Sequence, residues 1–153
     1  PLPEAQLDRF LLKIRLGYPA RTPEITILDR FQEHDPLEDL QPVTSPAALI
    51  RLQHERRSIR LAPSVKAYIT DLVAATRTDP SLRFGASPRG TIALMRACQA
   101  FALLRDRDYV LPDDVKALLE PVLAHRLILT EEALLSGITC NQVLQDILSR
   151  VPL

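Results

Sequence analysis

This 153-residue chain has little glycine, cysteine and lysine, no tryptophan and no surplus of either charge. Glycine occurs only at Gly17, Gly85, Gly90 and Gly137, tryptophan not at all, and aromatics make up 5% of the residues. Cys98 and Cys140 are the only cysteines, too few and too far apart for a disulfide framework or a zinc site, and they suit a reducing compartment. Basic and acidic residues number 19 each, whereas a strongly electrostatic nucleic-acid binder carries a basic surplus. No apolar run approaches the roughly 18 residues of a membrane-spanning helix. No charged-then-apolar leader precedes a cleavage site either. The expectation is a soluble protein of the cytoplasm. The chain opens on Pro1-Leu2-Pro3 without methionine, which reads as a piece cut from something longer.

What is present points to helices. Leucine occurs 27 times, and leucine-rich, glycine-poor, aromatic-poor composition is helical. The length corresponds to about one domain, and 46% apolar with 25% charged residues is a globular balance. Sixteen of the 19 basic residues are arginine. A planar fork suited to carboxylate or phosphate is one explanation, and a high-GC genome is the other.

The 13 prolines act mostly as punctuation. Thr22-Pro23, Ser45-Pro46 and Ser87-Pro88 each place a hydroxyl at an N-cap and proline at the first helical position. They predict three helix starts. The first helix carries Ile25, Ile27, Leu28 and Phe31 and ends near His34-Asp35-Pro36; the second turns Leu49 and Leu52 inward and closes at Glu55-Arg56-Arg57. From Pro63 to Arg77, Val65, Tyr68, Ile69, Leu72, Val73 and Thr76 recur at helical spacing and form one broad apolar face. The third capped helix, Pro88 to Leu104, is apolar nearly all round and should lie at the centre of the bundle. A short helix over Glu4 to Phe10 is expected before Lys13-Ile14-Arg15-Leu16, which alternates like a strand until Gly17-Tyr18-Pro19 breaks it. Ile59-Arg60-Leu61 and Tyr109-Val110-Leu111 are candidates for a minimal ribbon, and Thr78 to Gly85 reads as a loop. Pro112-Asp113-Asp114 opens a further helix that Pro121 should kink or restart. Arg126 to Thr130 reads as extended or irregular. The capping-box pattern Thr139-x-x-Gln142 begins the last helix, whose apolar stripe is Val143, Leu144, Ile147 and Leu148.

The sequence holds no complete catalytic site. His34, His54 and His125 lack partners at metal-ligand spacing and read as surface or satisfied core histidines. The segment Gly85-Ala86-Ser87-Pro88-Arg89-Gly90 fits neither a nucleophile elbow nor a dinucleotide loop, and no G-x-x-x-x-G-K-[ST] loop exists in the chain. Arg89 breaks a local rule. With Ser87 as cap and Pro88 first, it falls in the opening turn of a helix, where the exposed N–H groups are already positive and a cation costs about 0.3–1 kcal/mol without an anion nearby. Helix end and guanidinium together would clamp a phosphate. The alternative is that Arg89 leans into solvent or pairs with a carboxylate. Arg9, at the end of a short helix, suits ordinary C-terminal capping.

Four separated motifs carry a resemblance. They are Leu2-Pro3-Glu4-Ala5-Gln6-Leu7-Asp8-Arg9-Phe10 with Tyr18-Pro19, then Gly85-Ala86-Ser87-Pro88-Arg89, then Asp108-Tyr109-Val110-Leu111-Pro112-Asp113-Asp114-Val115-Lys116, and Leu123-Ala124-His125-Arg126-Leu127. Together, and in this order, they resemble the C-terminal part of a MoxR-type AAA+ ATPase. One departure is Arg105-Asp106-Arg107-Asp108, where members of that family commonly carry glycine before the Arg-Asp pair. The resemblance implies a mainly α fold: a helical lid bundle over 22–153 with at most a short two-stranded ribbon, preceded by the tail of an α/β nucleotide-binding core over 1–21. It implies that Arg9 is the arginine finger, acting in trans, and that Arg89 is the lid arginine called sensor 2, with Ser87 and Pro88 beside the nucleotide. It implies ATP and Mg2+ as ligands of the full-length protein, with the Walker motifs upstream, and no metal site in this stretch. It also implies a homo-oligomeric ring, a hexamer by analogy, and chaperone-like maturation of proteins with von Willebrand factor A-type domains. The rival readings are a helical DNA-binding module and a structural adaptor without nucleotide function.

Overall fold

A computed structural model describes residues 3–153, so Pro1 and Leu2, the first residues of the expected core tail, lie outside the described residues. In chain order the elements are α1 (Glu4–Leu7), α2 (Arg21–Glu33), α3 (Pro46–Ser58), α4 (Pro63–Thr78), β1 (Leu82–Phe84), α5 (Pro88–Leu103), α6 (Pro112–Leu123), β2 (Ile128–Leu129), α7 (Glu131–Leu135) and α8 (Cys140–Arg150). The mainly helical class with one small ribbon is what the residues predicted. The chain divides into two compact units, one taking the residues up to Lys13 together with Gln53–Leu153, the other Ile14–Leu52.

The core belongs to the larger unit. All six positions expected on α4 are buried: Val65, Tyr68, Ile69, Leu72, Val73 and Thr76. They meet Ala93, Leu94, Ala97, Cys98 and Ala102 of α5, Val115, Leu119, Val122 and Leu123 of α6, and Val143, Leu144 and Ile147 of α8. Alanines along α5 let neighbouring helices approach closely, which is why this helix can stand in the middle. It is not enclosed on every side, however. Ile92 and Arg96 remain exposed, so one strip of α5 opens to a cleft. Burial pushes the Cys98 thiol up, with Asp114 adding to the effect, to about 12. Gln99 is buried too, and its amide is satisfied at both ends: Nε2 donates to the Ile59 carbonyl at 2.9 Å and Oε1 accepts from Arg56 Nη1 at 3.1 Å.

Several connections differ from expectation. The ribbon is not built from Ile59–Leu61 and Tyr109–Leu111, which meet only in a single parallel bridge between Arg60 and Tyr109. It pairs β1 with β2, antiparallel, with Leu82 opposite Leu129 and Phe84 opposite Ile128. The stretch read as a loop therefore holds a strand, three residues long and too short to show a period of two. The segment Arg126 to Thr130, read as extended or irregular, begins at the end of a 3-10 turn over Ala124–Arg126 and holds β2. Pro121 does not restart α6, which runs on to Leu123 before tightening into that turn. It stands in the final turn, so little helix remains for it to disrupt. The Pro121 carbonyl instead accepts the Lys13 N–H at 2.8 Å. Lys13–Leu16 form no strand, since alternation makes a strand only where another edge is available to pair. After α5, Asp106 sits at φ +54°, the left-handed conformation that favours glycine. This is where the MoxR-type pattern commonly has glycine, and the chain turns as that pattern requires despite its side chain.

In the smaller unit, α2 starts at Arg21 behind an uncapped Ala20, two residues earlier than Thr22-Pro23 suggested. Proline is tolerated there because N–H groups of the first turn have no helical acceptor to lose. Ser45 caps α3 as expected, accepting the Ala48 N–H at 3.2 Å. Ile25, Leu28 and Phe31 are exposed, and so are Leu49 and Leu52, which corrects the expectation that the last two point inward. Periodicity defines the face; it does not provide a second layer to cover it.

Candidate functional site

The start of α5 is positioned by the end of α4. Thr76 is fully buried, and its hydroxyl accepts the Ala86 N–H at 3.0 Å while donating to the Val73 carbonyl at 2.6 Å. Arg77 Nε donates to the Ala86 carbonyl at 2.8 Å. Gly85 is required by this close approach, since a Cβ would stand 2.4 Å from the Thr76 carbonyl oxygen. Ser87 then caps α5 as expected, its Oγ accepting the Arg89 N–H at 3.2 Å, with Pro88 in the first turn. Gly90 allows that turn to sit on α6: an added Cβ would lie 3.1 Å from Ala86 Cβ and 3.3 Å from a Leu123 methyl.

Around this helix start lies a cleft of about 470 Å³, lined by Asp8, Arg9, Leu11, Arg56, Arg89, Ile92, Ala93, Arg96, Ala100 and Arg126. Five guanidinium groups face one carboxylate. The structure brings all the expected site residues together, since Arg9 and Arg89 line this one cleft and Ser87 and Pro88 form the adjoining cap. Arg9 and Arg96 are exposed and form no ion pair among the described residues. Arg56 is lowered by burial first and then by Arg96 and Arg57.

The anion that Arg89 needs is supplied within the chain, by Asp8. Its carboxylate accepts from Ser87 Oγ at 3.1 and 3.3 Å and from Arg126 Nε at 3.2 Å. Arg89 reaches it only at 3.5 Å, and its side chain is 59% exposed. That contact is long and solvated, and exposed pairs contribute about 0–1 kcal/mol. Of the alternatives raised by the residues, the structure shows Arg89 both solvated and paired, at long range, with a carboxylate.

Nothing in the local sequence marks Asp8 or Arg126 as site residues. Arg126 is 2% exposed, and besides Asp8 it donates to the carbonyls of Asp8 and Leu11, both at 3.3 Å, and of Phe10 and Val122. Burial lowers its affinity for the proton, and Asp8 acts against that. His125 beside it is lowered by burial and then by the Arg126 charge, although the Phe10 carbonyl raises it. The signal for Arg126 lay in the Leu123–Leu127 motif, which marked the stretch without revealing its role. Among the described residues no three His, Cys, Asp or Glu side chains are grouped to hold a metal ion, and no helix is long and apolar enough to cross a membrane.

Residues 74–147 match the family model described as the AAA lid domain. The helical bundle with its capped, arginine-bearing α5 is therefore an AAA lid. Along almost its full length the chain is 47% identical to an uncharacterized protein, YeaC, of Bacillus subtilis, of which it covers 47%. It is 38% identical to the chaperone MoxR1 of Mycobacterium tuberculosis over its whole length, covering 42% of that protein. A crystal structure from Cytophaga hutchinsonii, described as that of a "putative ATPase", superposes over 99% of this chain and 49% of its own with a TM-score of 0.91 at 35% identity. The chain belongs to the MoxR-type AAA+ family and spans less than half the length of these curated relatives.

Proposed function

We propose that this chain is the C-terminal part of an ATPase, with residues 1–21 the end of its nucleotide-binding core and 22–153 its lid, coupling ATP binding and hydrolysis to chaperone-like maturation of partner proteins. The observation that carries the reading is the cationic cleft at the start of α5, where Arg89 is held only loosely by Asp8. Guanidinium forks and helix N–H groups suit the oxygens of a transferring phosphoryl group, where catalysis is largely placement of cations. Arg89 is assigned to nucleotide bound by its own subunit and Arg9 to nucleotide of the next subunit in a homo-oligomeric ring, taken as hexameric. The family's Mg2+ finds no fitting donor set in this stretch, since Asp8 is the cleft's one carboxylate and already serves Ser87 and Arg126. Partners with von Willebrand factor A-type domains and a cytoplasmic location complete the proposal.

The name of the MoxR1 relative, a chaperone, supports maturation of other proteins over the rival readings. A DNA-binding helix pair is disfavoured because α4 and α5 are joined by nine residues that include β1, not a three- or four-residue turn. Titration of the complete protein with ATP, followed by amide exchange at Ser87–Gly90, tests the reading. Protection in the parent protein and its loss in Arg89→Ala are expected; an unresponsive segment in the parent favours the adaptor.

A further inference from the structure

We propose that Arg126 is a positioning residue that fixes, through Asp8, where Arg9 is presented. The proposal rests on the assignment of Arg9 to a neighbouring nucleotide. A buried guanidinium is costly unless its donors are satisfied. Arg126 spends most of its donors on one short stretch of chain: Nε on the Asp8 carboxylate, Nη2 on the carbonyls of Asp8 and Phe10, and Nη1 on that of Leu11. The residues on both sides of Arg9 are therefore gripped while the Arg9 side chain itself is exposed and forms no ion pair among the described residues. The turn beneath is closed by the Arg9 N–H to Gln6 and the Phe10 N–H to Leu7, both at 3.1 Å.

The other side of the same carboxylate faces the lid. Asp8 accepts from Ser87 and meets Arg89, and the place where a Gly90 side chain would grow is 3.5 Å from Arg126 Cδ. A shift of the α5 start is thus passed to residue 8 by bonds and packing, not by a flexible linker. A lysine in place of Arg126 keeps the charge but cannot reach acceptors spread along four residues, because its donors radiate from one nitrogen.

The test uses the complete protein. For Arg126→Lys, turnover of ATP is expected to fall by about 10²-fold with KM unchanged, the loss associated with displacing a positioned group by about 1 Å. The Arg9→Ala, Arg126→Lys double variant should be no slower than Arg9→Ala alone, as expected of residues acting in one unit. Exchange should rise at the amides of residues 9–12 while α6 and α8 keep their protection. Losses that multiply in the double variant, a raised KM with unaltered kcat, or unchanged exchange at residues 9–12 would overturn the proposal. Should Arg126→Lys fail to fold, Asp8→Asn replaces it under the same criteria. If Arg9→Ala alone leaves turnover intact, the trans assignment of Arg9 falls and this proposal falls with it; if Arg9→Ala is inactive but residues 9–12 exchange normally in Arg126→Lys, only the positioning role is lost.

Discussion

Helices α2 and α4 both carry apolar side chains at helical intervals, yet Leu72 of α4 is wholly buried and Leu28 of α2 is 66% exposed. In the larger unit the stripe meets three other helices. In the smaller unit no described residue buries Ile25, Leu28 or Phe31. The difference teaches that a helical apolar stripe is a statement about one face, and that its energetic weight depends on a second surface the spacing does not encode.

The widest separation between the two regions is expected from truncating one leucine in each. Leu94→Ala in α5 should destabilise by roughly 2–5 kcal/mol, whereas Leu28→Ala should change stability by no more than about 0.5 kcal/mol. Urea denaturation checks both, and equal shifts would erase the distinction. Next in size is the partly buried pair of the larger unit, where Arg107 Nη2 and Nη1 donate to the Asp114 carboxylate at 2.7 and 2.9 Å and the Leu111 N–H at 2.8 Å. Burial alone would raise Asp114, but Arg107 and Leu111 outweigh it and hold the carboxyl below its ordinary value. Its stabilising effect is therefore full above the unfolded carboxylate value of about 3.9 and is lost as pH falls through the depressed folded one. Asp114→Asn should lower the urea midpoint at pH 7, by less than Leu94→Ala, and the gap from the parent should close in acid. The smaller unit's exposed pair, His34 with Asp39, should show no comparable effect on substitution of Asp39.

Glycines sharpen the contrast further. Gly85→Ala drives a methyl against the Thr76 backbone and should cost about 1–3 kcal/mol by overpacking. Gly17→Ala meets nothing within 4 Å and should stabilise by roughly 0.4–1 kcal/mol through the unfolded chain. The smallest effect is expected from Asp106→Gly, which relieves a left-handed backbone at the cost of added freedom when unfolded; a gain below about 1 kcal/mol in thermal unfolding is expected.

Much of the larger unit was readable in its residues because its signals are local. The α4 face, the Ser87-Pro88 start and the Thr139/Gln142 capping box each follow from side chains within a few positions of one another, and all appear as expected. β1 was hidden because three residues cannot display alternation, and α7, five residues behind its Thr130 cap, because one turn cannot display a stripe. The cleft was half legible. Arg89 could be singled out because it offends the helix end it occupies, and that offence is local. Asp8 and Arg126 are 118 positions apart, and nothing near either one announces the other. The outward-facing Leu49 and Leu52 were misread for the same reason, since spacing predicts a face and only tertiary packing decides whether it is covered.

Cys98, sealed between helices with its thiol at about 12, has a practical consequence. Reaction needs the thiolate and access to reagent, so an alkylating probe can label it only during moments when the bundle comes apart. The half-buried Cys140 answers to smaller excursions near α8. Two unmodified sulfur atoms thereby give the molecule its own pair of clocks, one timing global opening and the other local fraying.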